Sequence, residues 1–243
     1  MDRLLYTALS GANVAQQQQQ IHANNLANVN TEGFRADLAL AQQQALSTRA
    51  DETRVLSTEQ PSGVDLSVGA IQSTGRNLDV AIQGQGYLTL VTGAGEAYTR
   101  DGQLTIDQQG QMYAHGYPVS GDNGPIVLPP FSSVSIGADG TISIVPQESG
   151  NTTLIDVDRL KLVNPSAASL SKNSQGLLVS SNRNNPTDET VSVVSGHLEG
   201  SNVSAIGEML ASMSVNRQFE AQIKMMKTAD DLASAGNQLL RNS

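Results

Sequence analysis

The sequence predicts an α+β fold: long N- and C-terminal helices pairing as a coiled-coil stalk, with a mainly antiparallel, β-rich central domain. Three observations carry this expectation. All eight prolines fall between Pro61 and Pro186, so both ends of the 243-residue chain are free of the strongest helix breaker. Both ends are also charge-balanced. Residues 1–36 hold two acids and two bases, and residues 203–243 hold four of each, so the formal charge of −9 belongs to the middle. The middle itself alternates short β-branched runs with Gly and Asp turns. The expected division is a discontinuous helical packing domain at 1–35 and 202–243, a connecting arm at 36–68, and a β-rich outer domain at 69–201.

The first helix is predicted from a stretch with no charge at all. Residues 4–31 contain no Asp, Glu, Lys or Arg and draw their polarity from Gln16 to Gln20 and from Asn24, Asn25, Asn28 and Asn30. Leu5, Ala8, Ala12, Ala15, Gln19, His22, Leu26 and Val29 recur at alternating steps of three and four, which is a heptad seam built on small layers. Such a seam is too thin to hold a lone helix in water. Two readings are open: a short amphipathic helix lying on the domain's own core, or a helix packed closely against copies of itself or relatives. The second is favoured, because uncharged small residues let backbones approach without like-charge repulsion. The asparagines tolerate left-handed geometry and bond to nearby backbone, which would end the helix.

The second helix is expected to start at Asn202 or Ser204, both good N-caps. Apolar positions follow at Val203, Ile206, Met209, Leu210 and Met213, then at Phe219, Ile223, Met226, Leu232 and Leu239 or Leu240. At 1.5 Å per residue the two helices would span roughly 42 and 58 Å, longer than a domain of this size needs. A paired stalk made from the two chain ends points to an assembly protein. The arm between is mixed: Gln42 to Gln44 and Ala45 read as a continuation of helix, and Thr53 to Gly63 as extended or irregular chain.

Within the body, Leu78–Ile82, Tyr87–Thr92, Leu104–Asp107 and Gln111–Ala114 read as strands, with Gln108-Gln109-Gly110 as a hairpin loop. Asp139-Gly140, flanked by Val134–Ile136 and Ile142–Ile144, is the strongest hairpin signal in the chain. Thr153–Val163 alternates Leu154, Asp156 and Asp158 against Ile155, Val157 and Arg159 before becoming more apolar. Leu177–Val179 and Val191–Val194 read as later strands, and Pro129-Pro130 interrupts any strand there. Aromatic residues are only 3% and Trp is absent, so the core must be aliphatic.

Composition excludes several activities. A net acidic chain whose first lysine is Lys161 offers no basic patch for nucleic acid. With no cysteine, thiolate chemistry, disulfides and Cys-ligated zinc are excluded. His22, His115 and His197 lie far apart and lack metal partners at ligand spacing. Gly84-Gln85-Gly86 lacks the third glycine of a dinucleotide loop and precedes a strand, so no cofactor is expected. Asp101, Asp107, Asp122 and Asp139 could be imagined as a glycosidase pair, but most stand near glycine, where Asp serves turns. The chain shows neither a basic leader with an apolar run nor an apolar stretch of about 18 residues, so membrane insertion is not expected.

Three stretches resemble one family. Ala23-Asn24-Asn25-Leu26-Ala27-Asn28-Val29-Asn30-Thr31-Glu32-Gly33-Phe34 resembles the N-terminal motif of flagellar rod, hook and related axial proteins. Thr74 to Tyr87 and Tyr98-Thr99-Arg100-Asp101-Gly102 resemble the start of that family's β domain, with Tyr87 and Leu88 where phenylalanines are common. Leu198-Glu199-Gly200-Ser201-Asn202-Val203, Glu208-Met209, Arg217-Gln218-Phe219-Glu220 and Thr228-Ala229-Asp230-Asp231 resemble its C-terminal motif. The opening, Met1 to Ala12, resembles a proximal-rod member. The resemblance implies a non-enzymatic subunit of the rod in the periplasm, exported by the flagellar type III apparatus. Its implied partners are innermost proximal-rod subunits, the distal-rod subunit and copies of itself. The assembly interface then expected comprises Leu5, Ala8, Ala12, Ala15, Asn24, Asn25, Leu26, Asn28, Val29, Val203, Ile206, Met209, Met213, Phe219, Ile223 and Met226. Rival readings are another axial role (distal rod or hook), a secreted carbohydrate-active enzyme, or a self-associating adhesin.

Overall fold

Two helices frame the chain. In the computed structural model, which describes residues 2–38, 41–48, 51–59, 63–147, 153–182 and 185–241, helix α1 runs Asp2–Ala27 and helix α2 runs Ala205–Arg241. Helix α1 ends where the asparagines begin. The Asn28 amide bonds to the carbonyls of Asn24 and Asn25, and its side-chain amide donates to the Asn24 carbonyl at 2.9 Å. Val29, expected as the last layer of the seam, therefore lies beyond the helix in the following turn. Helix α2 begins after Ser204, whose hydroxyl accepts from the Gly207 amide at 3.3 Å, as an N-cap does.

The chain divides into two compact units. One comprises Met1–Asn28, Asp37–Asp65 and Val203–Ser243; the other comprises Val29–Ala36 and Leu66–Asn202. In the first unit, α1 and α2 lie side by side and antiparallel. Gln19 meets Ser212, His22 meets Glu208, and Gly11 lies against Gln222, so α2 numbers fall as α1 numbers rise. The arm corrects one expectation. Residues 42–45 are not helical: Ala41–Thr48 and Asp51–Glu59 form an antiparallel hairpin in which Ala45 faces Val55. The glutamine run has fair helix propensity, but the extended segment with Val55, Thr53 and Thr58 supplies a β-forming partner, and pairing decides the outcome. Asp37–Leu38 and Gly63–Val64 pair as a second short ladder.

The second unit is built from antiparallel pairs throughout its described residues. A five-stranded sheet places Leu162–Val163, Tyr87–Thr92, Gly95–Thr99, Leu178–Ser180 and Leu170–Lys172 in that spatial order. A three-stranded sheet joins Phe131–Ile136, Thr141–Pro146 and Ile155–Arg159. The Asp139-Gly140 turn links its first two strands, with Ile136 opposite Ile142. Gly140 has φ +84°, and Asp139 accepts from both the amide and the hydroxyl of Thr141, which pulls its carboxyl below the usual range. Val80–Gln83 pairs with Ser192–Ser195, and Ile71–Ser73 pairs with His197–Glu199, which brings the end of the unit back to its beginning. The core is aliphatic, as composition requires: Leu90, Leu104, Met112, Val119, Ile126, Ile142 and Leu160 are fully buried.

Candidate functional site

The helix pair presents two kinds of surface. On α1 the buried layers are Ala8, Ala12 and Ala15, continued by the half-buried Gln19 and His22, in steps of four and three. Asn25 is also buried. Its amide nitrogen donates to Glu208 and to the Asp37 carbonyl at 3.0 Å each, and its oxygen accepts from the Asp37 amide at 2.9 Å. Glu208 Oε2 lies 2.5 Å from His22 Nδ1, and Gln19 donates to Ser212 at 2.7 Å. Leu5 and Leu26 are half-buried, Asn24 is exposed, and Asn28 caps the helix end.

On α2 the side that meets α1 is marked by Glu208, Ser212 and Gln222. Val215 and Ala229 are buried in the same phase, and Phe219 and Met226 are half-buried there, with Ile223 flanking. Glu208, Ser212, Val215, Phe219, Gln222, Met226 and Ala229 recur at steps of four and three. Ile206, Met209, Leu210 and Met213 form a different stripe at i, i+3, i+4, i+7. They are 73%, 51%, 63% and 55% exposed, and at 100° per residue this stripe points roughly opposite to the first. Val203 precedes the helix. The sequence put Ile206, Met209 and Met213 in one series with Phe219 and Met226; the structure separates them onto two faces.

The second unit holds a cluster that the sequence reading did not single out. Glu199 is completely buried between Arg35 and Arg100, whose side chains are each 2% exposed. Its Oε1 accepts from Arg35 Nη2 at 2.6 Å and from the Gly69 amide at 2.7 Å, and its Oε2 accepts from Arg100 Nη1 at 2.7 Å. Arg100 also donates through Nε to the Gly86 carbonyl at 2.9 Å and through Nη2 to the Gly84 carbonyl, and lies over the Tyr87 ring. Burial pushes the Tyr87 phenol up, with the two arginines opposing. The Glu199 carbonyl accepts from the Gly33 amide at 2.7 Å. Lys172 sits 3.8 Å above the Phe34 ring and donates to the Arg35 carbonyl at 2.8 Å. Asn202 completes the junction, accepting from the Ala36 amide at 2.8 Å and donating to the Ser67 carbonyl at 3.2 Å. Three chain segments, 33–36, 67–69 and 199–202, are thus tied by two side chains.

Gly33 shows why this junction needs its motif. Its φ is +65°, and a Cβ there would stand 2.2 Å from the Asp101 amide nitrogen. Gly33→Ala is therefore expected to undock the 31–36 segment and lower thermal stability. A melting curve superimposable on that of the parent would contradict this.

Of the carboxylates considered for catalysis, Asp101, Asp107 and Asp139 serve turns. Asp101 Oδ1 accepts from the Gln103 amide, and Asp107 Oδ1 accepts from the amides of Gln109 and Gln111. His115 bonds to Asp101, which raises its pKa above the ordinary histidine value. Among the described residues no group of three or more His, Asp or Glu could hold a metal ion, and no helix is long and apolar enough to cross a membrane.

Comparison with known proteins places both units. Residues 5–35 match the family model described as flagella basal body rod protein, residues 81–144 match flagellar hook protein FlgE/F/G D1 domain, and residues 194–239 match flagellar basal body rod FlgEFG protein C-terminal. The chain is 38% identical to the flagellar basal-body rod protein FlgF of Escherichia coli K12 over the whole of both chains. It is 36% identical, again over the whole of both, to the FlgF of Salmonella typhimurium. It is 33% identical to the rod protein FlgG of Bacillus subtilis, covering 96% of this chain and 97% of that one. The chain belongs to the FlgF family of flagellar basal-body rod proteins, which are structural subunits rather than enzymes.

Proposed function

We propose that this chain is a structural subunit of the proximal rod, in the periplasmic part of the flagellar basal body, and that it transmits torque between the innermost rod subunits and the distal rod. The helical unit acts as the axial packing domain, the role expected for residues 1–35 with 202–243, and the β unit acts as the outer domain expected at 69–201. The α1–α2 pair is read as an antiparallel coiled coil whose inner seam is already occupied within the chain. Leu5, Ala8, Ala12, Ala15, Asn25, Phe219, Ile223 and Met226 then build or flank the intrachain seam, while Ile206, Met209 and Met213 contact neighbouring rod subunits or copies of this chain. Entry into the flagellar type III export apparatus precedes assembly.

One observation carries this reading: the exposed Ile206–Met209–Leu210–Met213 stripe on the face of α2 away from α1. Four large apolar side chains on one helical face are unfavourable in water and favourable in a bundle. Helix α2 also has 37 residues against 26 in α1 and outlasts it at the C-terminal end, where Leu232 is 62% exposed. Deleting the gene is expected to abolish swimming and to yield basal bodies without a distal rod or hook. Complete hook–basal bodies from the deletion strain would refute the proposal.

A further inference from the structure

The two arginines on Glu199 are not equivalent. Arg100 is fully engaged, with Nη1 on Glu199, Nε on the Gly86 carbonyl, Nη2 on the Gly84 carbonyl, and its plane over Tyr87. It lies in the middle of the β unit's own sequence. Arg35 comes from the far end of the first helix motif and its side chain bonds through Nη2 to Glu199. Its Nε and Nη1 are buried and have no hydrogen-bond partner among the described residues. A buried guanidinium with unused donors is held less favourably than one with every donor paired. If Arg35 leaves, Glu199 and Arg100 remain as a neutral pair and Glu199 keeps its Gly69 bond. If Arg100 leaves, the Gly84 and Gly86 carbonyls lose their donor as well.

We infer that Arg35 is a positioning residue, the releasable arm of a buried latch that holds the 31–36 segment on the β unit. At 2% side-chain exposure Arg35 can meet no neighbouring subunit, so any effect it has on assembly passes through the segment it holds. The other contacts that hold residues 33–36 are the Gly33 amide on the Glu199 carbonyl, the Asn202 amide on the Phe34 carbonyl at 3.3 Å, Lys172 over the Phe34 ring and on the Arg35 carbonyl, and the Ala36 amide on Asn202. Each can part without breaking a strand of the described sheets. The docked and undocked states differ by one ion pair and a few hydrogen bonds, the scale of a local opening rather than of global unfolding.

The test uses the full-length chain with Arg35→Met, Arg35→Lys and Arg100→Met. In Arg35→Met, amide exchange at Gly33 and Ala36 is expected to accelerate roughly tenfold or more, while Gly69 and core amides such as Leu90 hold their protection. The melting temperature of the β unit should stay within about 2 °C of the parent. Arg35→Lys, which restores one charged donor, should recover much of the lost protection. Arg100→Met should lower the melting temperature of the whole unit. Unchanged exchange at Gly33 and Ala36 in Arg35→Met would overturn the latch, as would a loss of β-unit stability equal to that of Arg100→Met. These readouts need no flagellum. A motility assay of Arg35→Met, expected to show reduced rod assembly, rests in addition on the rod reading. Its failure alongside accelerated exchange would overturn the assembly role of the latch while leaving the latch itself in place.

Discussion

Glu199→Ala is expected to destabilise the β unit by about 3–5 kcal/mol, the scale seen when one partner of a buried ion pair is removed. The change leaves two guanidinium groups and the Gly69 amide without their acceptor in a site that solvent does not reach. Glu199 carries most of the junction because both its oxygens and its backbone carbonyl are used, each toward a different part of the chain. Glu199→Gln should cost less, since the amide keeps one acceptor oxygen while presenting a donor to one arginine. Urea unfolding followed by far-UV circular dichroism measures both variants. A loss below about 1 kcal/mol for Glu199→Ala would show that the cluster tolerates an unpaired charge and is not the tie described here.

The second large effect concerns assembly and leaves the isolated chain almost untouched. Ile206→Asp combined with Met213→Asp places two charges on the outer stripe of α2. Both positions are more than half exposed, so monomer stability should shift by no more than about 0.5 kcal/mol per site. In a packed bundle the same carboxylates would be desolvated without partners, which costs several kcal/mol. Swimming and incorporation into basal bodies should therefore be lost. A change on the opposite face, Val215→Asp, is expected instead to disrupt the pairing of α1 with α2, because Val215 is buried within the chain. Normal swimming of the outer-stripe variant would remove the stripe from the interface.

What could be read from the sequence was what local chemistry decides. Tyr87–Thr92 is a run of aromatic, β-branched and aliphatic residues bounded by turn residues, and the Asp139-Gly140 turn dictates its own hairpin; both stand where the pattern puts them. Gly95–Thr99 went unread because Gly, Glu and Ala carry no strand pattern, and that strand exists through its ladder to Tyr87–Thr92. The hairpin at 41–59 was hidden by helix-forming glutamines whose fate depends on a partner strand ten residues on. On α2, counting apolar residues drew attention to Ile206, Met209 and Met213, while the side that meets α1 is marked by Glu208, Ser212, Gln222 and Ala229. The buried cluster was harder still. Arg35, Arg100 and Glu199 are separated by 99 to 164 positions where they bond, and no spacing rule joins residues so far apart. The available signal was a single arginine three residues after the Glu32 that ends a long charge-free stretch, together with a glutamate set among apolar and small residues just before the second helix.

The antiparallel helix pair and its free stripe make one demand that can be checked directly, because the chain has no cysteine of its own. A thiol introduced by Met213→Cys can be labelled with a maleimide in the purified monomer and in intact hook–basal bodies. Rapid labelling of the monomer and strong protection in the basal body is the predicted result. Equal labelling in both would mean that this face of α2 stays in solvent after assembly, and would contradict the account.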